Sequence, residues 1–223
     1  MSEYSALLRI QNLSRVFTSR RGLSSRNLIA VDRANVTLAA DHNEILTIAG
    51  ESGSGKTTLA RMILRLLPQS GGQLLFKDRE VSQLTSARDK MWFRRQVQPV
   101  FQDPFATFNP LRRIDAYLYE TAANYQIGSG KQAAEPIERA LQAVGLSMRE
   151  VHGRYPNELS GGQLQRVSIA RALITDPSIA VGRSICWVMP RVSRSASATD
   201  ASCHCPCCTR TSGCTGATWN RAA

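Results

Sequence analysis

Apolar and polar positions alternate along the N-terminal part of the chain, a pattern typical of strands buried on one face. The alternation and the β-branched residues predict strands at Leu7–Leu13 and Asn27–Leu38, and the Ser/Arg-rich stretch between them predicts a loop. Two more strands are predicted at Gln73–Phe76 and up to Val100–Phe101, with a polar helix at Ser86–Arg95 between them. Strands and helices that alternate in this way favour an α/β domain.

A glycine-rich segment lies between a further strand and a further helix. The apolar run Glu44–Ala49 predicts the strand, and the helical spacing of apolar residues in Gly55–Leu67 predicts the helix. Later in the chain, helical spacing over Leu111–Glu150 predicts an inserted helical lobe, with Pro136 at a helix start. The last predicted elements are a helix and a core strand, at Gly161–Leu173 and Ser178–Val181.

The glycine-rich segment fits the phosphate-binding pattern G-x-x-x-x-G-K-S/T without deviation, in the strand-to-helix context that this pattern requires. Its glycines let backbone N–H groups face a phosphate chain, and the helix N-terminus adds a positive end. Lys56 is expected to contact the outer phosphates, and the Thr57 hydroxyl is expected to bind Mg²⁺. The predicted ATP-binding residues are Gly50, Glu51, Ser52, Gly53, Ser54, Gly55, Lys56, Thr57 and Thr58.

A second glycine turn, in Leu159–Arg166, comes directly before a predicted helix. Exposed N–H groups at a helix start attract anions, but such a turn on its own is more often only a helix cap. Here it follows a phosphate-binding loop in the same chain. The combination favours a second anion-binding element made of Ser160, Gly161, Gly162 and Gln163.

Leu-Ser-Gly-Gly-Gln after a P-loop resembles the signature of ABC ATPases, and the resemblance covers residues 5–182. It implies a P-loop NTPase core, an N-terminal antiparallel β subdomain and a helical signature subdomain at residues 105–172. It also implies ATP and Mg²⁺ as ligands. Two such domains, identical or different, would pair head to tail, so that the signature of one meets the γ-phosphate held by the other.

Two further residues take roles from this resemblance. Gln102, in Val100–Pro104, matches the family's Q-loop glutamine, which would help to bind Mg²⁺ near the γ-phosphate and connect this region to the membrane subunits. Phe17 is at the position where the family stacks adenine, although a core phenylalanine is the alternative.

Finer features are similar to the oligopeptide and dipeptide importer branch, namely the long Ser/Arg-rich insertion, Gln102–Pro110 and Arg154–Arg166. The implied partners are transmembrane permease subunits and, indirectly, a periplasmic or surface solute-binding protein. No apolar run is long enough to span a bilayer, and Met1–Tyr4 begins no secretory signal. We therefore expect a peripheral protein on the cytoplasmic face of the inner (plasma) membrane.

The resemblance ends after Gly182, where the family has an Asp-Glu pair that holds Mg²⁺ and orients the attacking water. Arg183 and Ser184 stand at those positions, and residues 183–223 contain all six cysteines and no lysine. This aperiodic composition predicts neither strand nor helix and is typical of an out-of-frame, disordered tail. A zinc site in Cys203–Cys208 and a disulfide framework are the alternatives.

The net charge of +11 is dispersed, without a basic stripe interleaved with aromatic residues, so no nucleic-acid partner is predicted. Two other functions stay open. One is an ABC-type ATPase of DNA repair or chromosome maintenance, which the basic charge would suit. The other is a truncated fragment that binds nucleotide without hydrolysing it, or that has no function.

Overall fold

The computed structural model describes residues 6–21, 24–40, 45–101, 103–182, 185–188 and 217–218. The strands are β1 (Leu8–Arg21), β2 (Ser24–Leu38), β3 (Ile45–Ala49), β4 (Gly71–Phe76), β5 (Arg79–Glu80), β6 (Val97–Pro99), β7 (Ile179–Val181), β8 (Ile185–Val188) and β9 (Ala217–Thr218). The helices are α1 (Lys56–Ile63), α2 (Ala87–Gln96), α3 (Pro104–Thr107), α4 (Ile114–Asn124), α5 (Lys131–Gln142), α6 (Met148–Val151) and α7 (Gly161–Leu173), and Val81–Gln83 and Pro156–Glu158 form short 3-10 turns.

The first sheet is antiparallel, with the strand order β2-β1-β4-β5, and it confirms the predicted β subdomain. β1 pairs with β2 along its length, from Leu8 opposite Leu38 to Arg21 opposite Ser24. The predicted Ser/Arg-rich loop is therefore wrong, because cross-strand hydrogen bonds satisfy the backbone of a segment that has no apolar alternation. β4 pairs with β1 only as far as Ser14. Beyond that residue the described strands form a two-stranded ribbon, residues 15–21 with 24–31.

The second sheet has the order β6-β7-β8-β3-β9. β6 and β7 are parallel, and β8 is antiparallel to both β7 and β3, so β3 runs parallel to β7. β9 adds to the outer edge of β3. The prediction that residues after 182 form no strand does not hold at β8 and β9. The run Ile185–Val188 is a short apolar segment that folds back from β7, and such a run is compatible with a strand between two others.

The described residues form two separate apolar cores. One lies between the two sheets and α1 and includes Leu8, Leu13, Ile63, Phe76 and Val181. The other is confined to the segment 108–174 and includes Ile114, Leu118, Ile137, Leu164 and Val167. This second core confirms the predicted helical lobe.

Inside the helical lobe the placement of Pro136 differs from the prediction. Pro136 lies within α5, five residues after its first residue Lys131, and not at a helix start. Because a helix leaves its first four N–H groups without intrahelical partners, a proline one turn further in removes a single hydrogen bond. The apolar face of α5, which contributes Ala133, Ile137 and Leu141 to the lobe core, holds the helix in place despite that loss.

Candidate functional site

The glycine-rich loop leaves the carboxyl end of β3 and enters α1 at Gly55, as the sequence predicts. Gly50, Gly53 and Gly55 all have positive φ angles, of 150°, 85° and 90°. At Gly55 an added Cβ would lie 2.1 Å from the carbonyl oxygen of Ala30 in β2. Only glycine fits there, because any side chain would meet the β2 backbone. The close approach fixes the loop against the base of the ribbon.

Lys56, the first residue of α1, directs its ammonium group back over the loop. Its Nζ donates hydrogen bonds to the carbonyl oxygens of Gly50, at 2.7 Å, and Glu51, at 2.5 Å, and to Ser54 Oγ at 3.2 Å. The first turn of α1 contains no acidic residue, and Gly55 offers it no side-chain cap. N–H groups and one cation therefore converge on an exposed loop, which is the arrangement that binds phosphate.

Phe17 lies on β1 in the ribbon, opposite Leu28 of β2. Its side chain is 37% exposed and Leu28 is 56% exposed, so the alternative of a core phenylalanine does not hold. Leu28 is two residues from Ala30, whose carbonyl oxygen borders Gly55. The ribbon thus presents an exposed aromatic ring beside the glycine loop.

Arg15 is a residue of this region that the motif reasoning missed. It lies on the same face of β1 as Phe17, and its guanidinium carbon is 4.7 Å from the centre of the Phe17 ring. Its Nη1 donates a hydrogen bond to the carbonyl oxygen of Pro68 at 2.9 Å. The spacing of Arg15 and Phe17 gave no usable signal, because both stand in the stretch that the sequence predicts as a loop. Residues at i and i+2 share a face only in the strand that the structure forms there.

The second glycine turn begins α7 as predicted. Ser160 Oγ accepts a hydrogen bond from the backbone N–H of Gln163 at 3.2 Å, and Gln163 Oε1 accepts one from the Ser160 N–H at 3.0 Å. This reciprocal pair is a capping box. Ser160, Gly161 and Gly162 are exposed. α7 packs in the helical core, whereas α1 packs in the core between the sheets, so the two elements belong to different lobes.

Three strands of the second sheet, β3, β6 and β7, are mutually parallel and end at the same edge. The glycine loop follows β3, Phe101 follows β6, and Gly182 follows β7. The Val100 N–H donates to the Val181 carbonyl at 2.9 Å, which joins the ends of the last two strands. Ligands of open α/β sheets bind at such an edge.

Several predicted residues lie outside the described part of the chain. They are the Q-loop residue Gln102, the substituted positions Arg183 and Ser184, and the cysteine-rich segment Cys203–Cys208. Among the residues that the structure does describe, no cluster of three or more His, Cys, Asp or Glu side chains suits a metal ion. None of the described helices is long and apolar enough to cross a bilayer.

A cavity of about 470 Å³ lies at the seam between the two lobes. α2 contributes Arg94, the end of β6 and the residues after it contribute Pro99 and Phe101, and the helical lobe contributes Tyr125 and Arg171. No acidic residue is present among the described residues that line it. The cavity is therefore electropositive, and Phe101, one of its lining residues, directly precedes Gln102 in the sequence.

Comparisons with known proteins agree on one family. A family model described as "ABC transporter" matches residues 33–181. The oligopeptide transport ATP-binding protein AppF of Bacillus subtilis is 36% identical over 176 residues, which are 78% of this chain and 53% of AppF. The glutathione import ATP-binding protein GsiA of Escherichia coli K12 is 37% identical over 178 residues, 28% of its length. The chain spans about half or less of the length of these relatives.

Solved structures give the same result. A dimeric ATP-binding cassette in a post-hydrolysis state, bound to ADP and Pi, has a TM-score of 0.63 and 25% identity, covering 78% of this chain and 72% of that one. CbiO1 of Clostridium perfringens, part of a transporter complex, has a TM-score of 0.60 at 22% identity, covering 80% of this chain and 65% of that one, and it supports the fold alone.

Proposed function

Because this chain belongs to the ABC transporter family, we propose that it is the ATP-binding subunit of an importer and holds ATP in the loop between β3 and α1. The observation that carries the proposal is the Lys56 ammonium, which lies over a loop of three positive-φ glycines at an uncapped helix N-terminus. The loop carbonyls that now accept from Lys56 are weaker partners than phosphate oxygens. Lys56 would therefore exchange them for the β- and γ-phosphates when ATP binds.

The residues present fit Mg²⁺ at the same place. Thr57 is exposed in the first turn of α1, and Gln102 follows in the sequence after β6, a strand that ends at the same edge of the sheet as β3. Hydroxyl and amide oxygens are hard ligands of the kind that Mg²⁺ prefers, with water and phosphate oxygens completing its shell. When bound, the ion would neutralise charge on the β- and γ-phosphates. Thr57 and Gln102 would hold it, and Phe17 would stack on the base.

The signature turn would act on a second molecule. Ser160, Gly161 and Gly162 are exposed on the helical lobe, where they can face the γ-phosphate held by another ABC ATPase subunit, identical or different. The dimeric state of a solved cassette with ADP and Pi supports this arrangement. In such a dimer each ATP lies between the loop of one chain and the signature of the other, so ATP stabilises the pair.

The electropositive cavity at the seam between the lobes supports permease docking. Its lining residue Phe101 is an exposed apolar side chain. In the sequence Phe101 directly precedes Gln102, the residue proposed to connect the γ-phosphate region to the transmembrane subunits. Docking there would keep this chain peripheral, on the cytoplasmic face of the membrane. The solute would contact the permease and a separate binding protein. The names of AppF and GsiA support an oligopeptide, dipeptide or related peptide as that solute.

Hydrolysis is expected to be impaired, because Arg183 and Ser184 replace the acidic pair that follows β7 in the family. The family match ends at Val181, immediately before this change, which supports a frameshifted C-terminal segment. Since the phosphate contacts come mainly from the loop and Lys56, the substitution should reduce turnover far more than ATP binding.

The test measures ATP binding and ATP hydrolysis separately on the purified chain. We expect weak but measurable binding that Lys56→Ala weakens roughly 10- to 100-fold, and negligible turnover. Turnover within about tenfold of an intact relative would contradict the proposed impairment, and an absence of binding would contradict the ATP site. Turnover stimulated by nucleic acid would instead support an ATPase of DNA repair or chromosome maintenance. If the chain binds ATP but associates with no partner subunit and supports no transport, the alternative of a truncated fragment would be supported.

A further inference from the structure

Arg15 is held in place from two sides on the face of the ribbon that carries Phe17. Its Nη1 donates to the Pro68 carbonyl oxygen at 2.9 Å, and its guanidinium carbon lies 4.7 Å from the centre of the Phe17 ring. A guanidinium at this distance is attracted by the electron-rich face of an aromatic ring. One face of Phe17 is therefore occupied, and the ring cannot rotate freely without losing that contact.

Packing alone explains Arg15 poorly. Its Nε is buried and finds no acceptor among the described residues, and a buried donor without a partner destabilises the folded state. A methionine would fill much of the same space without an unpaired donor. Arg65, two residues after α1, has the same defect at Nη1, but it contacts no aromatic ring among the described residues. The two arginines thus differ in their relation to Phe17.

We propose that Arg15 is a positioning residue for the nucleotide base: it fixes the plane of the Phe17 ring so that the exposed side of the ring is ready to stack on adenine. This inference rests on the proposed ATP site and adds a residue to it. A half-exposed phenylalanine on a two-stranded ribbon would otherwise lose rotamer freedom when the base binds. Fixing the ring beforehand reduces that cost and strengthens binding.

The experiment compares Mg²⁺–ATP with Mg²⁺–tripolyphosphate, which has the phosphates but no base, by calorimetric titration of the full chain. We expect Arg15→Met to weaken ATP binding about three- to tenfold and to leave tripolyphosphate binding within twofold. The Tm should change little, because the variant removes the unpaired buried donor together with the hydrogen bond to Pro68. Arg15→Lys keeps a cation over the ring and should retain most of the ATP affinity.

Two controls separate base positioning from other effects. Arg65→Met removes the comparable arginine away from the ring and should leave both affinities within twofold. Phe17→Ala should weaken ATP binding about tenfold, since it removes the stacking surface. In that background Arg15→Met should add less than twofold, because the ring through which it acts is gone.

The results of these titrations distinguish failure of the role of Arg15 from failure of the ATP site. Equal losses of ATP and tripolyphosphate in Arg15→Met, or an additive loss in the Phe17→Ala background, would overturn the role of Arg15. Unchanged ATP affinity in both Arg15 variants would do the same while leaving the ATP site intact. If the unmodified chain binds neither ligand, the proposed ATP site itself fails and the inference fails with it.

Discussion

The N-termini of α1 and α7 present exposed glycine turns, but their backbone N–H groups are satisfied differently. Before α1 stands Gly55, which has no side chain to accept a hydrogen bond, and the Lys56 ammonium donates to carbonyl oxygens of the loop. Before α7 stands Ser160, which exchanges hydrogen bonds with Gln163. The first helix start is incomplete without a ligand and carries a positive charge. The second has a side-chain cap from within the chain, and the capping residues are neutral.

Because of this difference, the start of α1 should contribute mainly to ligand binding and the start of α7 mainly to the stability of the fold. A helix end whose N–H groups are left open gives up about 1 kcal/mol of capping energy that a ligand can return. A helix end with a capping box keeps that energy and offers an anion only the remaining N–H groups and the helix dipole. We therefore expect changes at α1 to affect nucleotide binding most, and changes at α7 to affect the stability of the helical lobe.

The largest effect is expected from Gly55→Ala. Its Cβ would lie 2.1 Å from the Ala30 carbonyl oxygen, at a φ angle of +90°, so the loop must move away from β2. The left-handed conformation alone costs an alanine about 1–2 kcal/mol, and the clash adds to it. Urea denaturation should show a loss above about 2 kcal/mol, and ATP binding should disappear.

Gly53→Ala is the matched control for that change. Gly53 has a similar φ angle of +85°, but an added Cβ there meets nothing within 4 Å. It should show only the conformational cost. Equal effects of the two substitutions on unfolding would mean that the contact with β2 does not hold the loop.

Lys56→Ala comes next. It removes the charge and three hydrogen bonds from the loop, and a charged hydrogen bond contributes about 1.5–3 kcal/mol, so ATP should bind roughly 10- to 100-fold more weakly. The free energy of unfolding should change by less than about 1 kcal/mol, because the contacts are exposed. Fluorescence titration and urea denaturation measure the two effects. The exposed Lys131 at the start of α5, changed to Ala, should leave ATP binding unaltered.

Ser160→Ala should show the opposite pattern. Losing the Oγ that accepts from Gln163 N–H should destabilise the chain by about 1 kcal/mol in urea denaturation. ATP binding by the single chain should not change, since α7 belongs to the other lobe. A fall in the ATP affinity of the monomer would mean that α7 contacts the chain's own nucleotide. It would contradict the assignment of nucleotide binding to α1 alone.

The smallest effect concerns α6, whose capping box uses Glu150 where that of α7 uses neutral Gln163. Glu150 Oε2 accepts from the Ser147 hydroxyl at 2.9 Å and from its N–H at 2.8 Å, and these two hydrogen bonds lower the pKa of Glu150. A carboxyl whose pKa is lower in the folded than in the unfolded state contributes stability above its unfolded pKa. That contribution is lost as the pH falls through the folded pKa.

The Tm difference between the unmodified chain and Glu150→Gln should therefore be present at pH 7. It should shrink as the pH falls below 4.5, the ordinary pKa of a glutamate carboxyl. Thermal scans between pH 7 and pH 3 measure it. The corresponding difference for Gln163→Ala should stay constant over that range, because an amide does not titrate there. A pH-independent difference for Glu150→Gln would show that its carboxylate is not the group that matters.

Local signals predicted the two helix starts well. α7 begins and ends where the sequence places it, at Gly161 and Leu173, because its cap requires only residues within one turn. The glycine loop was equally predictable, because its sequence pattern specifies the residue type at each key position. Relations between distant segments were harder. The ribbon that carries Arg15 and Phe17 was missed, because it pairs residues 15–21 with 24–31 and its Ser/Arg-rich part has no apolar alternation.

The strand β8 was missed for a related reason. Residues 185–188 stand in a segment whose composition is unlike that of any strand elsewhere in the chain, and their pairing depends on β3, which is some 140 residues away. The position of Pro136 was predicted wrongly because proline has a low propensity for helix interiors and is common at helix starts. In α5 the packing of the apolar face outweighs a single missing hydrogen bond.

The position of β8 also bears on how the chain behaves in concentrated solution. Four residues pair with β3 on one side and β7 on the other, so they cover two strand edges at once. An uncovered edge is a template for the strands of neighbouring molecules, and it promotes aggregation. The yield of soluble protein should therefore depend on whether a shortened chain stops after Val188 or before Ile185.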